Sequence, residues 1–108
     1  MSVLSEQEFR VRSDEALEGA RRTLLPLADA EGFEVEFQNG VLNLVFEEPR
    51  ESKFVVSPNA PVRQIWVSAM ARSFKLAWDA DRHGFALANE MLVDLLGRLT
   101  REFLAAPS

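Results

Sequence analysis

A chain of 108 residues has room for one domain with one core, residues 1–108, and no second. Its 47% apolar and 27% charged residues exclude a disordered tail, its apolar runs are too short to span a bilayer, and a net charge of −5 argues against a nucleic-acid-binding surface. With no cysteine, disulfides, thiolate metal sites and a cysteine nucleophile are excluded, so any metal must be held by oxygen or by the single imidazole, His83.

Met1 leads almost directly into a helix start rather than a basic-then-apolar leader, so the chain is expected to stay in the cytoplasm. Ser5-Glu6-Gln7-Glu8 has the form of a capping box. Phe9, Ala16, Leu17, Ala20, Leu24 and Leu27 then draw one apolar stripe at helical spacing. Pro26 is expected to end or kink that helix near Leu25, because it lacks an amide and clashes with the preceding turn. Glu6/Arg10, Glu8/Arg12 and Glu18/Arg22 are spaced for exposed ion pairs.

The period then changes to two. Phe33, Val35 and Phe37 alternate with Glu34 and Glu36, a half-buried strand with both carboxylates outward. Asn39-Gly40 suits a tight hairpin turn, and Leu42, Leu44 and Phe46 mark the returning strand. A short strand follows at Phe54–Val56, and the two prolines of Ser57-Pro58-Asn59-Ala60-Pro61 make a rigid corner that forbids ladder pairing. Further strands are expected at Arg63–Ser68, Ser73–Trp78 and His83–Leu87. Asn89 can cap a last helix whose stripe is Leu92, Leu95, Leu96, Leu99 and Phe103. Helix, a meander of about six antiparallel strands, then helix gives an α+β fold, a two-layer sandwich with both terminal helices on one sheet face. The other face must meet water or a partner.

Charge is unevenly spread. Asp29 to Glu51 holds seven acids against Arg50 alone, whereas Ser52 to Trp78 holds no acid, only Lys53, Arg63, Arg72 and Lys75. One end is expected to be acidic and another mildly basic, although charge scattered over solvated faces also fits. In the segment from Arg63 to Ser68, Ile65 and Val67 belong to the helix-covered face, which puts Gln64, Trp66 and Ser68 on the open one. An exposed indole beside amides suits a protein interface: much area, little entropy loss and a polar handle. The same pattern also suits an indole that shields backbone and packs on its cross-strand neighbours. His83 reads as a surface residue in a polar turn and Trp78 as core. One His and no nucleophile-elbow glycines leave no Ser/His/Asp set, and no phosphate-binding glycine loop exists.

Gly40-Val41-Leu42, the turn at Ser57–Pro61 and above all Gln64-Ile65-Trp66-Val67-Ser68 resemble the strand signature of the frataxin family and its bacterial members. Glu8-Phe9 with Asp14 and Leu17 is similar to that family's first helix, and Asp94-Leu95-Leu96 to the start of its last. The likeness runs from about Gln7 to Phe103. It implies a small, monomeric α-β-α accessory protein of iron–sulfur cluster assembly, not an enzyme, that binds iron (Fe2+ or Fe3+) weakly through surface carboxylates. It also implies docking on the cysteine desulfurase and scaffold protein, with no nucleic-acid or membrane partner. Carried over residue by residue, iron falls to Glu15, Glu18, Asp29, Glu31, Glu34 and Glu36, and partner contact to Asn59, Gln64, Trp66 and Ser68.

Two departures matter. The family's corner reads N-x-Q-x-P, of which only Pro61 is kept, with Asn59 in place of a longer amide. The second half of the family's first helix is crowded with acids, where this chain has Arg21, Arg22, Leu25, Pro26 and Ala28. An acidic ridge binds because a cation relieves repulsion between carboxylates; two guanidiniums in the row supply fixed counter-charge instead. Weaker iron binding than the family norm is expected. The alternative is a metal-independent interaction module on the same fold, its carboxylates a solvated strand edge.

Overall fold

The first helix, α1 (Glu6–Glu31), opens as its sequence dictates. Ser5 Oγ accepts from the Glu8 amide at 3.1 Å while Glu8 Oε1 accepts from the Ser5 amide at 3.2 Å, closing the capping box. The computed structural model describes residues 4–106. Phe9, Leu17, Ala20, Leu24 and Ala28 bury the helix's apolar stripe. Pro26 does not end α1, one of the two outcomes expected of it: the helix runs five residues further, to Glu31, and Gly32 caps it in the left-handed region at φ 79°. Pro26 and Arg22, whose carbonyl loses its i+4 partner, both lie on the exposed side, open to solvent, while buried Leu24 and Ala28 pin the helix on either side.

Among the described residues seven antiparallel strands follow in consecutive order, one more than the sequence indicates: β1 (Glu34–Gln38), β2 (Val41–Phe46), β3 (Ser52–Asn59), β4 (Gln64–Ala69), β5 (Arg72–Asp79), β6 (Gly84–Leu87) and the two-residue β7 (Glu90–Met91). The helix α2 (Leu92–Ala105) completes an α+β sandwich. Leu92, Leu95, Leu96, Leu99 and Phe103 of α2 join Leu42, Leu44, Phe46, Phe54, Val56, Ile65, Val67 and Leu76 of the sheet in one core. Within it Phe46 gathers the rings of Phe33, Phe54 and Phe103 at 4.7, 4.9 and 4.6 Å. No helix among the described residues is long and apolar enough to cross a membrane.

Three further expectations are corrected. The stretch Ser57-Pro58-Asn59 is not outside the ladder but pairs with Trp66, Ile65 and Gln64. β3 there has run past β2, so Pro58 needs no second neighbour; the corner shrinks to a 3₁₀ turn, Ala60–Val62. Asn89 does not cap α2, whose N-cap is Met91 without a side-chain bond; the Asn89 amide oxygen instead accepts from Arg82 at 3.0 Å. Glu6 pairs with Arg10 and Glu18 with Arg22 as spaced, the latter at 3.9 Å beside a closer Arg21, but Glu8 is held by the capping box, leaving Arg12 to Glu15 at 3.2 Å.

Candidate docking face and acidic edge

Alternation along β4 buries Ile65 and Val67 and turns Trp66 and Ser68 outward, Trp66 remaining 38% exposed. The register then assembles a neighbourhood. Trp66 lies between Ser57 of β3 and Lys75 of β5, and Ser68 between Val55 and Ser73. The indole Nε1–H donates to Gln64 Oε1 at 2.9 Å, and the Lys75 ammonium stands 5.0 Å from the ring centroid. Val55, Ser57, Trp66, Ser68, Ser73 and Lys75 line a groove of about 180 Å³. Asn59 pairs across the corner with Gln64, half-buried. All four expected contact residues, Asn59, Gln64, Trp66 and Ser68, therefore share two adjacent strands.

The carboxylates are more dispersed. Glu15 pairs with Arg12. Glu18 accepts twice from Arg21, at 2.6 and 3.1 Å, with Arg22 at 3.9 Å, and those hydrogen bonds hold its carboxyl below the ordinary value. Asp29 lies on the same side of α1 as Glu18 but three turns away, roughly 16 Å along the axis. Asp29 and Glu31 are exposed on the last turn of α1. Glu34 and Glu36 stand outward on β1, an edge strand, roughly 7 Å apart. Among the described residues no three His, Asp or Glu side chains converge on one point. A cation at this edge would meet two carboxylates at most and keep the rest of its shell as water, which is an exchangeable arrangement.

The sequence matches the frataxin-like domain family over residues 2–106. The chain belongs to the frataxin-like family. The iron-sulfur cluster assembly protein CyaY of Cupriavidus metallidurans is 33% identical to it over 84 residues, 76% of this chain and 74% of that protein. The proteins of the same name from Pseudomonas syringae pathovar tomato and Pseudomonas fluorescens are 27% and 25% identical, over 84% and 88% of each chain.

For this frataxin-like chain, sequence reasoning missed Ser57, Ser73 and Lys75. Ser57 comes beside Trp66 through the β3–β4 register, and Ser73 and Lys75 come to this face through the β4–β5 register, set by a two-residue turn at Met70 and Ala71 with φ of 51° and 62°. Such a turn normally advertises itself by Asn-Gly or Asp-Gly, and here it does not. The basic residues of the acid-free stretch also divide. Arg72 pairs with Glu102 at 3.0 Å and Arg63 turns toward the start of α1, leaving Lys53 and Lys75 exposed on β3 and β5. His83 sits in the β5–β6 turn at φ 58°, its ring 5.2 Å from half-buried Trp78.

Proposed function

We propose that the chain is a cytoplasmic, monomeric accessory protein of iron–sulfur cluster assembly that docks through its uncovered sheet face on the cysteine desulfurase and scaffold. Iron is a weakly held cargo at the acidic edge of Asp29, Glu31, Glu34 and Glu36, with Glu15 and Glu18 as lesser contributors. The protein modulates a rate set by its partners. The relatives' names supply the pathway. The observation that carries the docking mode is Trp66: a large aromatic left exposed on a face that neither helix covers, its orientation fixed by Gln64 and Lys75.

A second reading, metal-independent docking, is favoured by one contact. Arg21 grips both oxygens of Glu18, so that carboxylate is already neutralised. Capture of wild type and Trp66→Ala by the host's desulfurase and scaffold, with and without ferrous iron, separates the two. Capture of wild type only with iron supports cargo-linked docking, and equal capture without iron supports the second reading. Failure of wild type to be captured under either condition refutes both.

A further inference from the structure

In the sheet, β3 beyond Val56 pairs with β4 alone, the 3₁₀ turn that follows has no side-chain cap at its start, and Val62 is 51% exposed. Arg63 closes this turn in the left-handed region, at φ 55° and ψ 45°, a conformation a residue with a long side chain seldom holds unless its surroundings impose it. Its side chain supplies the imposition. Nε donates to the carbonyl of Leu4, 59 residues earlier, at 3.0 Å, and Nη1 donates to the carbonyl of Ala60, which also accepts the Arg63 amide at 3.1 Å. Leu4 and Ala60 both pack against the core, so the guanidinium spans two fixed points.

We propose that Arg63 is a positioning residue for the docking face: by tying the entry to α1 to the β3–β4 corner, it holds Asn59, Gln64 and Trp66 in one rigid arrangement. The proposal rests on the docking reading above. A planar fork with several donors suits the task, whereas a Lys ammonium at this position reaches the two carbonyls less well. Trp66 is three residues from Arg63, and its indole bonds to Gln64, the residue next to Arg63. Slack at the corner therefore passes directly into the orientation of the ring.

The test compares Arg63→Ala, Arg63→Gly and Arg63→Lys with wild type. Amide hydrogen exchange, the Trp66 indole N–H resonance and affinity for the desulfurase–scaffold complex are followed together. Loss of the tether should speed exchange between Asn59 and Trp66 roughly tenfold in the Ala and Gly variants, as expected for one charge-assisted hydrogen bond, while Leu44 and Leu96 stay protected. The indole resonance shifts and affinity falls several-fold in both, with partial rescue in Arg63→Lys. Corner exchange and indole resonance unchanged in Arg63→Ala would overturn the proposal. So would a loosened corner with unaltered affinity, or full recovery in Arg63→Gly, which would mean that backbone strain alone was at issue. If Trp66→Ala, run alongside, binds as tightly as wild type, docking through this face fails, while exchange and the indole signal still decide whether Arg63 holds the corner.

Discussion

Replacing Phe46 by Leu tests the packing argument where its magnitude can be worked out. Phe46 is 1% exposed and its ring meets those of Phe33, Phe54 and Phe103 at centroid distances under 5 Å, joining the entry to β1, strands β2 and β3, and α2. Leu keeps most of the buried apolar area but loses three aromatic pairs, each worth about 0.5–1.5 kcal/mol beyond burial, so the loss should be about 2–4 kcal/mol. Against a domain stability of about 5–15 kcal/mol this is large. It corresponds to a fall in melting temperature of roughly 10–25 °C. The control is Phe37→Leu, half-buried on β1 with no ring partner among the described residues, which should cost less than about 1.5 kcal/mol. Urea unfolding followed by circular dichroism reads both, with the slope unchanged and the midpoint moved. Equal midpoints for the two variants would refute the stabilising role of the ring cluster.

Three other outcomes follow from named contacts. Ser5→Ala opens the capping box and should cost about 1 kcal/mol, visible in urea unfolding and in faster exchange of the first α1 amides. Glu90 and Glu102 lie below their ordinary value of 4.5 because Arg98 and Arg72 donate to them. Their contribution is therefore complete above pH 4.5 and lost as pH falls through the lowered folded values, so stability should decline with acid below about pH 4.5. Glu102→Gln should flatten that decline in a pH series of unfolding midpoints. The double variant Arg21→Ser/Arg22→Ser frees the Glu18 carboxylate and should strengthen ferrous iron binding several-fold, with new amide shifts near Glu15 and Glu18 in an anaerobic titration. Shifts spread evenly over the acids would contradict a localised edge.

Much of the layout was legible because the signals were local. The capping box, the Phe33–Phe37 alternation, the Asn39-Gly40 turn and the two helix stripes each specify an element within a few residues, and the α+β sandwich follows from their order. Trp66 could be turned outward from alternation alone, because its neighbours Ile65 and Val67 leave no choice of face. What failed depended on context. The helix runs on past Pro26 because Arg22 and Pro26 lie on its exposed side while buried Leu24 and Ala28 hold the turns around them, a balance that the proline alone does not reveal. Pro58 was taken out of the ladder because the sequence does not tell that β2 stops short of it. Lys75 and the tether of Arg63 to Leu4 join residues whose proximity is decided by register and by a contact spanning 59 positions, and no local pattern announces either.

The most direct measurement is the dissociation constant for the desulfurase–scaffold complex of wild type against Trp66→Ala, with thermal unfolding recorded on both. An exposed anchoring indole predicts a loss of about 30-fold or more in affinity with the melting curve nearly unmoved. Equal affinities in two equally folded proteins would show that the partner does not read this face.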